Sequence, residues 1–338
     1  EIDQKYFTYQ TSETDMFNNK LINLIGFPPR FKGESIEQHH KDLAAALQKW
    51  YEKCFYFILN RVNSNWSSEN LVLGGGCAYN GTANGKIKHH TNFKNVWIPF
   101  APSDAGSAIG ACLYQWHMVM GHPKVKGGDN QSPYLGPEFK ISEILDEANK
   151  SKKLIVEIVA DKKKLVKIVA DYINKGKIVG WFQGRTEFGA RALGNRSILG
   201  NPHLPDIRDR INKVVKKREM FRPFAPSVTQ EDYQTYFKSE EDVPYMNQVV
   251  KVKQDYIDKL PAVTHVDGSA RVQTVYKHTA IYDLLKEFEA VSGYPILLNT
   301  SFNLAGKPIL NTYRDALSVL DKTQMDYVVL ENILVKKS

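Results

Sequence analysis

Short apolar runs separated by helical stretches set the main limit on how this chain folds. Residues 71–73, 96–98, 178–182, 296–298 and 327–330 each read as a strand, with 71–73 and 296–298 as short buried ones. Segments 35–61, 142–149, 162–174, 206–217, 280–292 and 312–322 carry helical character between them. In the first, Ala44, Leu47, Tyr51, Cys54, Phe55 and Ile58 recur at spacings of three and four. Ser35 and Gln38 read as a capping box at its start, and Gly176 as a C-cap after 162–174. Strands mixed with helices argue for an α/β architecture. No run approaches the roughly 20 apolar residues of a membrane helix. The opening Glu1-Ile2-Asp3-Gln4-Lys5 lacks the apolar core of a secretory signal.

At roughly 100–200 residues per domain, a chain of 338 residues predicts two domains. Gly127, Gly128, Asp129, Asn130, Ser132, Pro133, Gly136 and Pro137 crowd one stretch, which places a linker at 126–137 between domains at 1–125 and 138–338. The missing initiator Met reads as a fragment. Cys54, Cys77 and Cys112 are widely spaced and form no zinc pattern. Their apolar settings predict buried free thiols, and so a reducing cytoplasm. The net charge of +8 permits anionic partners. Lysine runs such as 162–164 and 336–337 read as solvated faces, whereas the arginines are placed differently.

The segment QGRTEFGARALGNRS (183–197) follows the 178–182 strand and interleaves three glycines with three arginines. Glycine lets backbone approach a ligand closely, and a guanidinium offers a fixed fork of donors to phosphate or carboxylate oxygens. Polyanion binding is the expected chemistry; a charged surface loop is the plainer alternative. In KKREMFRPFAP (216–226) a helix delivers basic residues and two prolines fix the turn after it. Phe221 and Phe224 are expected to pack beneath, leaving Arg222 rigidly held. Arg271 follows a glycine turn at Gly268. Asn299, Thr300, Ser301 and Asn303 end a buried strand, where α/β sheets bind ligands, or form a simple Asx turn. Gly74-Gly75-Gly76 and Asn80 mark a strand-to-helix junction, phosphate cradle or tight turn alike. Asp104 is a metal-ligand candidate or a helix N-cap. The pairs His39-His40 and His89-His90 do not share a helix face and are not taken as ligands.

Read in order, these motifs resemble the carbamoyltransferase family that includes nodulation-factor, cephem and aminoglycoside O-carbamoyltransferases. The stretches that carry the likeness are HKDLAAALQKWYE (40–52), ENLVLGGGCAYNGTANGKI (69–87), PSDAGSAIGACLY (102–114), GWFQGRTEFGARALGNRSILGNP (180–202), VKKREMFRPFAPSV (215–228), DGSARVQTV (267–275) and LLNTSFNLAGKPI (297–309). The resemblance implies a partial actin-like (ASKHA) transfer domain followed by a YrdC-like α/β twisted-sheet domain. The YrdC-like domain would convert carbamoyl phosphate and ATP, with Mg2+, to carbamoyl-adenylate. The actin-like domain would bind Fe2+ or another divalent metal and pass the carbamoyl group to a small-molecule or sugar alcohol.

Carried over by motif position, Arg191, Lys216, Arg222, Arg271, Ser301 and Asn303 resemble the family's carbamoyl phosphate and nucleotide contacts, Lys216 and Arg222 as the catalytic pair. Gly75, Gly76 and Asn80 resemble the adenylate loop of the transfer domain, and Asp104 its carboxylate metal ligand. The family's HxxxH pair of metal ligands does not occur in this sequence. The N-terminal half of the transfer domain is therefore expected to be missing, leaving this chain incomplete for transfer. Neither a membrane nor a specific nucleic acid is expected as partner. The competing readings are a non-catalytic nucleotide- or RNA-binding YrdC-like module and an actin-like phosphotransferase. Too few aromatics in the arginine clusters to stack bases count against the former, and ADP rather than AMP as product would mark the latter.

Overall fold

A computed structural model of the chain describes residues 3–31, 33–124, 132–239 and 241–338. Most of the linker expected at 126–137 lies outside the described residues. Residues 1–57 and 58–338 form two compact units.

In the first unit, helix Asn19–Ile25 starts on Asn18, whose side chain accepts the Lys20 N–H, and stops at Gly26 with φ 89°. A long helix, Gln38–Asn65, follows and runs on across residue 57 into the second unit. It does not open on the expected Ser35–Gln38 box. Ser35 Oγ bonds the Glu37 carboxylate instead, and the Glu37 backbone N–H donates to His40 Nδ1 at 3.0 Å. An imidazole thus does the work of the expected glutamine. That bond leaves His40 Nε2 to carry the proton in the neutral ring, facing His39 Nε2 at 3.1 Å, which is hydrogen-bond geometry.

The second unit is an α/β fold. Its strands are β1 (Asn70–Val72), β2 (Asn95–Trp97), β3 (Leu154–Ile158), β4 (Val179–Phe182), β5 (Arg196–Gly200), β6 (Ala225–Thr229), β7 (Phe237–Lys238), β8 (Val250–Val252), β9 (Ser269–Ala270), β10 (Gln273–Val275), β11 (Ile296–Ser301), β12 (Tyr327–Leu330) and β13 (Ile333–Lys337). Eight of them make one mixed sheet in the order β10-β6-β11-β5-β4-β12-β13-β3, with only β10–β6 and β4–β12 parallel. β1 and β2 pair in parallel, and β7-β8-β9 form a small antiparallel sheet.

Period-two alternation places the core on both faces of the large sheet. Val179, Trp181, Leu199, Leu297 and Val329 point to one side, where Lys162–Asn174 and Ala280–Ser292 cover them with Leu165, Val169, Ile173, Leu284 and Phe288. Phe182, Ile198, Leu298, Val328 and Leu330 point to the other, against Ile207, Ile211, Val215, Tyr313 and Leu320. Helix Lys162–Asn174 is capped by Asp161, and Gly176 takes the expected left-handed turn after it, at φ 78°.

Two expectations fail. The 71–73 run pairs as a strand but is not buried: Val72 is 69% exposed. The three cysteines are free as expected, yet Cys77 and Cys112 are exposed and Cys54 only partly covered. The helix expected at 206–217 is present, as an α-turn, Ile207–Arg210, that widens into a π-turn at Ile211–Lys216. No helix among the described residues is long and apolar enough to cross a membrane.

Gly180 in β4 shows how tightly the sheet is filled. A Cβ there would lie 2.5 Å from Phe302 Cζ and 2.8 Å from Met325 Sδ. Gly180→Ala is expected to lower stability by about 1–3 kcal/mol, the usual penalty of overpacking, as read from the midpoint of urea unfolding.

Candidate anion-binding site

The glycine–arginine loop between β4 and β5 is shaped by a buried carboxylate. Glu187 Oε1 accepts the backbone N–H groups of Leu193, Asn195 and Arg196 at 2.7, 2.8 and 3.1 Å. Leu193 O is held in turn by Tyr134 Oη and Gln273 Nε2, both at 2.8 Å. Gln273 belongs to a buried polar network with Ser227 and Asn299. The three arginines of the loop therefore have different tasks. Arg196 is fully buried over the Phe182 ring, 3.4 Å from guanidinium carbon to centroid, and donates to the carbonyls of Gln183, Gly184, Asn195 and Pro137. Arg185 donates to Leu135 O. Both brace the loop, and only Arg191 is left facing a possible ligand.

Arg191 lies over the Tyr79 ring at 5.4 Å. Tyr79 ends the Gly74–Gly76 loop, where Gly75 sits at φ 90° and its N–H donates to Pro102 O at 2.6 Å. Ser103 Oγ reaches Tyr79 Oη at 3.5 Å. Gly189 comes so close to Phe100 that a Cβ would be 2.7 Å from its carbonyl oxygen. The glycine triple, the 100–103 segment and the arginine loop thus meet around Tyr79, a residue that sequence reasoning did not single out.

Lys216 is the most buried cation of the group. The π-turn turns it inward, and the residue after it, Lys217, takes a left-handed φ of 49°. Its ammonium donates to the backbone oxygen and the hydroxyl of Ser301, the latter at 3.2 Å, and to Asn303 Oδ1 at 2.5 Å. Burial, with the nearby Arg218 charge, pushes its pKa down to about 7. Burial and then the charges of Arg191 and Arg218 lower Arg271 to about 9, so it is still cationic at neutral pH. Arg218 is itself lowered by burial and by Arg222. Lys216, Arg218, Arg222, Arg271 and Arg191 therefore form one electrostatically connected set. Arg218 is the member that the site expectation omitted, although it stands in the same KKREMFRPF motif. Arg191 and Arg271 each keep a buried Nε with no hydrogen-bond partner among the described residues.

Arg222 stands at the surface rather than enclosed. Its side chain is 51% exposed and pairs with Glu219 at 2.9 Å. Of the two phenylalanines expected to pack beneath it, Phe224 is buried and Phe221 is 65% exposed. Asn80 uses its side chain to cap a short turn, accepting from Ala83 N–H at 3.1 Å. Asp104 is an exposed first residue of helix Asp104–Tyr114. Among the described residues no group of three or more His, Cys, Asp or Glu converges on a point that could hold a metal. A lone surface carboxylate does not fit an iron site.

The comparisons with known proteins agree with this motif set. Models of the carbamoyltransferase N-terminus and C-terminus match residues 1–113 and 170–337. The chain belongs to the carbamoyltransferase family. The N-terminal match overturns the expectation that the N-terminal half is missing. The Synechocystis protein sll1178 is 40% identical over 100% of this chain and 58% of its own length. The nodulation proteins NolNO of Sinorhizobium fredii and NolO of Bradyrhizobium diazoefficiens are each 38% identical over 91% of this chain, and over 46% and 57% of themselves. The chain spans about half the length of the curated relatives it matches.

Two outcomes are expected. Glu187→Ala strands three buried N–H groups and should destabilise the chain by about 3 kcal/mol or more, measured by chemical denaturation. The unfolded state holds the Lys216 proton up to its ordinary pKa, whereas the native state releases it near 7. Stability should therefore rise with pH above about 7 through this group, and Lys216→Met should flatten that rise. Thermal midpoints taken between pH 6.5 and 9.5 check it.

Proposed function

We propose that residues 138–338 activate a carbamoyl group and that residues 1–125 take part in passing it to the hydroxyl of a small molecule or sugar. The observation that carries this is the set of neighbouring cations, two of them with buried, unpartnered Nε atoms. A desolvated cation is unfavourable until an anion pairs with it. ATP and carbamoyl phosphate together bring enough negative charge to meet five cations, and without those cations the two substrates would repel each other.

The net activation consumes carbamoyl phosphate, ATP and one water, and yields carbamoyl-adenylate, pyrophosphate and inorganic phosphate. The bond formed joins a carbamate oxygen to the α-phosphorus. Two bonds break: water cleaves the carbamoyl–phosphate linkage, releasing inorganic phosphate and leaving the carbamate, and the α-phosphorus bond to the β-phosphate oxygen then breaks, its electron pair leaving with pyrophosphate. In this reading Arg191 and Arg271 bind phosphate oxygens, and Lys216, held by Ser301 and Asn303, balances charge developing on the transferring group. Arg222 closes the rim. Phe221, exposed beside it, offers a ring face to the adenine. The Gly75, Gly76 and Asn80 loop, meeting the arginine loop at Tyr79, is the proposed receiver of the adenylate. A labile acyl-adenylate handed across so short a path is shielded from water. The fold names that go with this reading are YrdC-like for the activating domain and actin-like for the transfer domain.

The same exposed Phe221 favours one second reading, a nucleotide- or RNA-binding module without chemistry. A single assay separates them. With carbamoyl phosphate present, the carbamoyltransferase should exchange pyrophosphate into ATP and form AMP-linked product. Arg271→Ala should lower that exchange about a hundredfold or more, as the loss of one preorganised donor does. Arg222→Ala, which removes a half-exposed charge, should lower it only about fivefold. Nucleotide binding without exchange would overturn the activating role, and unchanged exchange in Arg271→Ala would remove the arginine set from it.

A further inference from the structure

A cavity of about 800 Å³ opens between residues 82–96 and the small sheet β7-β8-β9. Its walls are joined by the backbone. Val249 N–H donates to Gly81 O at 2.9 Å, Asn84 Nδ2 donates to Asn247 O at 2.8 Å, and a Cβ on Gly85 would fall 1.9 Å from Val249 O. The space is therefore preformed. Five lysines line it, namely Lys86, Lys88, Lys238, Lys251 and Lys253, against two described carboxylates. Both carboxylates are engaged: Glu241 pairs with Lys88, and Asp267 with Lys251 at 3.4 Å. No described carboxylate pairs with Lys238 or Lys253. Between the cations the lining is mixed, with Val249 and Val250 beside the amides of Gln234 and Gln248.

We propose that this cavity binds a phosphorylated small molecule, with the phosphate on Lys238 and Lys253 and the neutral body on the amide and valine surface. The volume is that of a small-molecule site, about 300–1,000 Å³. Ammonium groups on long stems meet a tetrahedral phosphate from several directions without the planar fork that nucleobases or carboxylates favour. A nucleic acid strand fits less well, because Phe237 of the lining is buried and the exposed imidazole of His89 is the one ring the described lining leaves for stacking. None of the residues of the proposed activating site takes part, so the inference stands apart from that reading.

Calorimetric titration of the full chain with glucose 6-phosphate, glucose and inorganic phosphate tests it. Glucose 6-phosphate should bind, and more tightly than either fragment. The double variant Lys238→Glu/Lys253→Glu should weaken it about tenfold or more with an unchanged thermal midpoint. Arg271→Ala should leave the affinity within about twofold, as expected of separate sites. The proposal is overturned if glucose 6-phosphate shows no binding in the millimolar range. It is overturned equally if inorganic phosphate binds as tightly, if the double variant binds as well as the parent, or if Arg271→Ala alone abolishes binding. Arg271→Ala also fails in pyrophosphate exchange if the activating role is right, so the two ideas fail separately.

Discussion

One buried carboxylate governs the arginine site. Glu187 gathers three backbone N–H groups from residues 193–196 and so fixes the loop that presents Arg191. Without it the loop would expose those donors to each other and to nothing else. Arg196 completes the arrangement from the opposite side. Its two terminal nitrogens donate to backbone carbonyls while its plane rests on Phe182 and its buried Nε finds no partner among the described residues. Two charged side chains that never meet a ligand thereby decide where a third one points. If the proposed function holds, stability and ligand recognition are coupled here, because the same braces hold the loop that carries Arg191.

A cluster of like charges works against folding, and the structure shows where that opposition is concentrated. Lys216 and Arg271 have their protonated forms disfavoured by burial and by their neighbours. An incoming anion removes both penalties at once. Under the proposed function, the free protein is least stable where its substrates bind, and their binding doubles as stabilisation. The buried Nε atoms of Arg191 and Arg271 express the same tension in hydrogen-bond terms.

The large elements were legible because their periodicity is local. Lys162–Asn174, Ala280–Ser292 and Tyr327–Leu330 follow directly from their spacing. Strands such as Arg196–Gly200 and Ala225–Thr229 were not, since a polar or proline-bearing stretch becomes a strand only once long-range partners supply its ladder. In the site, the motif residues Arg191, Lys216, Arg271, Ser301 and Asn303 could be named in advance. Their division of labour could not. Nothing in the sequence says that Arg196 faces inward and Arg191 outward, or that Phe221 stays in solvent while Phe224 does not. Tyr79 and Glu187 were hidden for a related reason: each acts through partners contributed by another loop or by the main chain.

The wide turn at Ile211–Lys216 carries a last implication. An extra residue in a helical turn is a register device. It sets the direction of the lysine that ends it, independently of which amino acids fill the turn. Loss of a single residue upstream would restore ordinary helical register and swing that ammonium about 100° around the axis. Length variation in this short segment, with every motif residue intact, is thus a route by which a lineage could silence the chemistry while keeping the fold.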